Sequence, residues 1–246
     1  MGPDELLELL HDTATAVATA LGGVDDWGPA GTRHGQYRSD LAADDAAVGR
    51  LLRAGVGVLS EESGLHEPGR SVIVVVDPLD GSTNAAHGVP WYATSLCAVD
   101  GDGPVAAVVA DLPHERRYEA VRGGGARLDG APLRPSGVAE LGDALVGIAG
   151  LPPTPVPWRQ FRALGASALD LCGVAAGTLD GYVDWSRDAH APWDYLGALL
   201  VCGEAGAAMA DADGRDLVVL EHGPRRAPVA AATPALLDRL LAARAG

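Results

Sequence analysis

The sequence is short of several things, and each shortage excludes a class of protein. Aromatic side chains make up 4% of the 246 residues, with one Phe, so Val, Leu and Ala must fill the core that a 48% hydrophobic content can build. Cysteine is scarce too: Cys97, Cys172 and Cys202 are odd in number, far apart and set among apolar residues, with no CxxC pair. That pattern predicts reduced, buried thiols rather than disulfides or a zinc site. His34, His66, His87, His114 and His190 show no paired spacing, which also speaks against zinc. Positive charge is outnumbered, 18 basic against 33 acidic residues for a net −15, and forms no basic stripe. A nucleic-acid polymer is therefore not an expected partner. No apolar run reaches the roughly 18 residues of a membrane span. The N-terminus carries Asp4, Glu5 and Glu8 where a secretory leader would carry basic residues. These absences predict no membrane association and a cytoplasmic location. With no low-complexity run, the length suits a single domain of two packed halves, roughly 1–135 and 136–246.

What is present centres on Ser71 to Asn84. The β-branched run Val72-Ile73-Val74-Val75-Val76 predicts a buried strand that ends at Asp77, with a sharp turn at Pro78. Asp80 follows three residues after Asp77, Gly81 frees the backbone, and Ser82 and Thr83 supply hydroxyls and N–H groups at the start of a helix. Two carboxylates at a rigid strand end, followed at once by amide donors, can hold a divalent metal and a phosphate together. An ordinary Asp-Pro turn with an N-cap uses the same residue types, so the motif alone leaves both readings open.

The flanking chain adds context. Asp4 to Leu21 has helical spacing and is closed by Gly22-Gly23, and Gly28 to Gly35 reads as a loop. A second helix follows Ser39, with Asp44 and Asp45 near its start, where capping alone would favour them. Val56 to Gly64 reads as a strand ending in Glu61 and Glu62; if it pairs with the Asp77 strand, Glu61 and Asp77 meet at one end of a sheet. Trp91–Val99, Pro104–Leu112 and Arg116–Val121 continue an antiparallel meander, with Asp129-Gly130 a tight hairpin turn. Gly123 to Gly125 lacks the Lys-Ser/Thr of a phosphate loop and reads as a bend. Ala144–Ile148 is strand-like, and Ala166–Gly177 is an Ala/Leu-rich helix. Trp193-Asp194 opens another helix that ends at Glu204-Ala205-Gly206. Met209–Val219 predicts a final hairpin and Leu236–Ala243 a closing helix.

Three pieces in order, Glu61-Glu62-Ser63, Asp77-Pro78-Leu79-Asp80-Gly81-Ser82-Thr83-Asn84, and Trp193-Asp194 with Glu204-Ala205-Gly206, resemble the signatures of the inositol monophosphatase family. That family comprises magnesium-dependent, lithium-sensitive phosphatases of sugar phosphates and nucleotides. The resemblance implies an α/β (α+β) fold with α-β-α-β-α layers, and a homodimer. It implies that Glu61, Asp77 and the Leu79 carbonyl bind one Mg²⁺, and that Asp77, Asp80 and Asp194 bind a second. Gly81 and Ser82 would offer N–H groups to phosphate, and the Ser82 hydroxyl and Glu61 would position the attacking water. Asp44 would stand in the outer shell of a third, weaker ion, with Asp45 as the alternative. Asp184, where the family has an acidic residue contacting the inositol ring, would meet the leaving group, with Arg187, Asp188 and His190 around it. The implied reaction is hydrolysis of a small phosphorylated polyol or sugar, inositol monophosphate first, with other sugar phosphates, histidinol phosphate or 3′-phosphonucleotides as alternatives. A non-catalytic metal- or phosphate-binding protein of the same fold is the reading from a different class. Oxygen-only ligands suit Mg²⁺, and a metal site answers the charge repulsion that makes phosphate monoesters slow to hydrolyse.

Overall fold

The computed structural model describes residues 1–32 and 35–245; His34 lies outside them. Two helices open the chain, α1 (Pro3–Gly22) and α2 (Arg38–Arg53). The first sheet is built from β1 (Gly57–Ser60), β2 (Gly64–His66), β3 (Ile73–Asp80), β4 (Ala93–Asp100), β5 (Gly103–Asp111), β6 (Arg116–Val121), β7 (Gly125–Leu128) and β8 (Ala131–Pro132), with the short α3 (Ser82–Ala86) after β3. Their order is β2-β1-β3-β4-β5-β6-β7-β8, antiparallel throughout except for the parallel pair β1–β3. The second sheet, ordered β10-β9-β11-β13-β12, uses β9 (Leu145–Ala149), β10 (Gln160–Arg162), β11 (Gly181–Asp184), β12 (Ala208–Asp211) and β13 (Pro228–Ala231). Helices α4 (Ser167–Ala175), α5 (Pro192–Ala205) and α6 (Pro234–Ala245) complete the chain.

Strand alternation explains the layering. On β3, Val74 and Val76 face α1 and α2, meeting Leu6, Leu10, Val17 and Leu51, while Ile73 and Val75 face the other way. Every residue of β3 is buried, so the strand reads as a continuous apolar run rather than an alternating one. The inward face packs on α4 and α5, which fill the space between the sheets with Leu169, Leu171, Leu196 and Val201. Beyond the second sheet, Val146, Ile148, Val183 and Val229 pack against Leu236 and Leu240 of α6. The result is five layers, α-β-α-β-α. The Asp129-Gly130 turn joins β7 to β8 with both residues at positive φ, 50° and 80°, as a two-residue hairpin of matching twist requires. Among the described residues, no helix is long and apolar enough to cross a membrane.

Two local expectations are overturned. The strand does not end at Asp77; β3 runs on to Asp80, which pairs with Ala93. Pro78 is accommodated because the ladder shifts register between Asp77 and Asp80, and a bulge is a place where a strand tolerates a missing N–H. Nor does Met209–Val219 form a hairpin. β12 pairs with β13, sixteen residues or more along the chain, with Asp211 opposite Pro228. The buried Val229 and Ala231 supply a better apolar partner than the polar stretch after Asp211.

Candidate active site

The parallel pair sets the first two carboxylates. Ser60 lies opposite Val76, and the Glu61 N–H donates to the Val76 carbonyl at 3.1 Å, so Glu61 leaves β1 beside Asp77. The bulge sets the third. In a regular strand, residues three apart face opposite sides; on β3, Asp77 and Asp80 oppose Ser95 and Ala93, so three steps on one strand match two on the other. The extra residue restores the phase and puts Asp80 on the same side as Asp77. Leu79 turns its side chain into the α1–α2 core. Asp77 Oδ1 accepts the Leu79 N–H at 3.0 Å, and the Thr94 hydroxyl donates to the Pro78 carbonyl at 2.9 Å, which holds the bulge.

Gly81 follows at φ 81°, and a Cβ there would lie 2.9 Å from the Trp91 carbonyl oxygen and 3.2 Å from that of Gly165, so the position requires glycine on two counts. Asn84 then donates from Nδ2 to the carbonyls of Trp91 and Leu164, 2.8 Å each, and so ties the end of the motif to the linker before α4. The start of α4 reaches back: the Ala168 N–H donates to Asp80 Oδ2 at 2.8 Å. Asp194 is the third residue of α5, and its Oδ2 accepts the Ala191 N–H at 2.6 Å in a capping box.

Glu61, Asp80 and Asp194 line one recess of about 270 Å³ with Ser167, His190 and Arg225. Asp77 lies behind it, 1% exposed and within hydrogen-bonding reach of Glu61. A second recess of about 350 Å³ on the other side of Glu61 reaches Ser82, Gln36 and Asp40 and shares Trp193 and Arg225 with the first. Among the described residues, no three His, Cys, Asp or Glu side chains already stand close enough to hold an ion. They do act on one another. Burial, then the Asp194 and Glu62 charges, push the Glu61 carboxyl up to about 8. Burial and Asp194 bring Asp80 to about 7, against the opposing pull of the Ala168 N–H. Asp77 is raised well above the carboxylate range by burial and by Glu61, Asp80 and Asp194. Burial also raises Asp194, with His190 partly offsetting it.

The outer residues are placed less as expected. Asp44 is buried and accepts a hydrogen bond from the Ser60 hydroxyl, one residue before Glu61, whereas Asp45 is exposed. Asp184 is fully buried, and both its oxygens are taken, by His190 Nδ1 at 2.6 Å and the Ser186 N–H at 2.8 Å. His190 faces the recess in its place. Its Nε2 meets the Ser167 hydroxyl at 2.6 Å, and Tyr182 stands 3.1 Å from the same hydroxyl. Burial opposes a charge on His190, but its bond to Asp184 and the charge of Asp194 outweigh this and raise its pKa. Arg187 is exposed, and Asp188 turns to Arg215 at 2.9 Å. Sequence reasoning missed Ser167, Gln36, Asp40 and Arg225. The first three fell among plain cap and loop residues, and the Arg225-Arg226 pair was the one signal available for the fourth.

The profile of the inositol monophosphatase family matches residues 39–245. A Thermococcus kodakarensis protein named fructose-1,6-bisphosphatase/inositol-1-monophosphatase is 36% identical over 213 residues, 83% of this chain and 80% of its own length. The inositol-1-monophosphatase of Mycobacterium bovis is 37% identical over 214 residues, 78% of this chain and 71% of its own. Among solved structures, a Pyrococcus horikoshii protein described as having similarities to inositol-1 monophosphatase superposes with a TM-score of 0.84 at 27% identity, covering 98% of this chain and 96% of that one.

Proposed function

The chain belongs to the inositol monophosphatase family, and from that premise we propose that it is a Mg²⁺-dependent phosphomonoesterase acting on a small phosphorylated polyol or sugar. The observation that carries the reading is the gathering of Glu61, Asp80 and Asp194 on one recess with Asp77 beside Glu61, each carboxyl raised by burial, and Glu61, Asp77 and Asp80 also by the charges of their acidic neighbours. The donor set fits a hard divalent ion: it is all oxygen, and its mutual repulsion is what a cation between the side chains relieves. Glu61, Asp77 and the Leu79 carbonyl would hold one ion, and Asp77, Asp80 and Asp194 a second, with Asp44 toward a third. Bound there, Mg²⁺ supplies charge neutralisation for the phosphate and acidifies water.

The chain's own groups do the rest. Ser82 and Glu61 both line the larger recess, so a water between them meets a hydroxyl and a carboxylate together. The carboxylate takes a hydrogen bond from that water and turns its lone pair toward phosphorus. The Gly81 and Ser82 amides would receive the phosphate oxygens, with Gly81 in the left-handed conformation that presents them. The recess size matches a small leaving group at the lower end of small-molecule sites, which start at about 300 Å³. The reading includes a homodimer on the family resemblance, and the cytoplasm on the three free, buried cysteines.

A phosphate-release assay tests it, with inositol 1-phosphate and a panel of sugar phosphates, in Mg²⁺ and in EDTA. Release is expected in Mg²⁺ alone, and D77N and D194N are expected to lose at least about a hundredfold in kcat with the fold intact by circular dichroism. Normal turnover by both variants would overturn the site assignment. A folded protein inactive on the whole panel would favour the non-catalytic reading.

A further inference from the structure

Among the described residues, Arg225 is the one Arg or Lys that lines both recesses. It is held rigidly. Its Nη1 donates to the carbonyls of His222, Gly223 and Pro224 at 2.7, 3.0 and 3.1 Å. Its guanidinium lies over the Trp193 ring, 5.2 Å from the centroid. Trp193 is itself 4% exposed and stacks on His222, whose Nε2 meets the Glu61 carbonyl at 3.1 Å. The loop 222–225 is therefore clamped against both Glu61 and the start of α5. All three bonds use one nitrogen. Nε and Nη2 bond to nothing among the described residues, and no carboxylate there forms an ion pair with Arg225. A guanidinium so fixed, with two parallel donors left over at the mouth of a site, suits a bidentate anion.

The rest of the wall agrees. The carboxylate that would have offered acceptors to a polyol, Asp184, is sealed behind His190. Besides Glu61, Asp80 and Asp194, the recess presents an imidazole, the Ser167 hydroxyl and Arg225. The charge of Arg225 reaches Asp194 and acts to lower its pKa, yet no carboxylate among the described residues takes up its Nε and Nη2 donors.

We propose that Arg225 selects the leaving group by binding a second anionic group, a phosphate or a carboxylate, on the alcohol that is released. This deepens the phosphomonoesterase reading and rests on it. Neutral polyols still enter the recess; they forgo the Arg225 contact. Because the anion sits away from the bond being broken, it contributes to binding substrate and transition state alike, and its loss appears chiefly in KM.

The test uses pairs that differ only in the second anion: fructose 1-phosphate against fructose 1,6-bisphosphate for a phosphate, and glycerol 1-phosphate against 3-phosphoglycerate for a carboxylate. Steady-state phosphate release is measured for wild type, R225Q and R225K at fixed Mg²⁺. Wild type is expected to prefer one doubly anionic member in kcat/KM, and the pair that shows it identifies the anion. R225Q is expected to cut that preference at least tenfold through KM, and R225K to keep part of it. Equal loss on both members of each pair would overturn the proposal and place Arg225 on the scissile phosphate or on Asp194. So would a wild type that prefers the singly charged members. Should no substrate turn over, the phosphatase reading fails; calorimetric affinities of wild type and R225Q for the same four compounds then decide the Arg225 proposal by the same ratios. A cooperative melt for each variant excludes unfolding as the cause.

Discussion

At Asp77, burial and repulsion act in the same direction. The side chain is 1% exposed and faces three other acids, yet its Oδ1 is fixed by the Leu79 N–H. The folded pKa values of Glu61 and Asp80, about 8 and about 7, lie above their ordinary ones. For such groups, stability is full below about pH 4 and is lost as pH rises through the folded values. In EDTA the wild-type melting temperature should therefore fall from pH 5 to pH 8. D77N keeps the Oδ1 acceptor and cannot ionise, so it should melt higher than wild type at pH 8, by about 2–4 °C for each kcal/mol of repulsion relieved. If these acids hold Mg²⁺ as proposed, adding it should reverse the order, because the wild type then gains more by mass action. A D77N protein that melts lower than wild type in EDTA at pH 8 would show that repulsion among these acids is not stored in the fold.

At the scale of elements, Arg215 joins β12 to the segment carrying His190. Its Nε and Nη2 donate to Asp211 at 2.7 and 3.0 Å, and its Nη1 to Asp188 at 2.9 Å. Burial raises the Asp211 carboxyl, but Arg215 and the Ala227 N–H outweigh it and hold the pKa below the ordinary range. A depressed folded pKa gives stability that is present above about pH 4 and lost as pH falls through the folded value. R215Q should thus melt several degrees below wild type at pH 7, and the gap should close below pH 4. A gap of constant width across that range would assign the loss to packing instead of charge. This level also shows what could be read in advance. The Val-rich run, the Asp129-Gly130 turn and the helix starts are local signals, and each element formed where its residues pointed. The Pro78 bulge, the β12–β13 pairing and the capture of Asp184 by His190 are settled by partners far away in sequence or by an irregular ladder, and periodicity does not encode them. The acids of the site were legible because Asp77 closes the β-branched run, Asp80 ends β3, and Glu61 and Asp194 stand at the end of β1 and the start of α5; Arg225 was not, because its orientation comes from three loop carbonyls and a tryptophan thirty-two positions earlier.

For the whole molecule, net charge is the dominant electrostatic fact. The excess of 15 negative charges repels itself. Exposed pairs such as Arg38–Asp26 and Arg239–Glu140 return at most about 1 kcal/mol each and are weakened by salt. Repulsion should win: in EDTA at pH 7, the melting temperature should rise as NaCl goes from about 10 to 150 mM and the screening length shortens from about 30 to 8 Å. A flat or falling curve would mean that the surface pairs outweigh the excess. The recess, meanwhile, joins the first sheet to later helices: Asp80 is met by the Ala168 N–H of α4, Asn84 reaches the Leu164 carbonyl just before it, and Asp194 arrives only with α5. Translation delivers these parts in sequence. A nascent chain whose first sheet has already emerged from the ribosome carries Glu61, Asp77 and Asp80 without Asp194, so the proposed site is completed only when α5 follows.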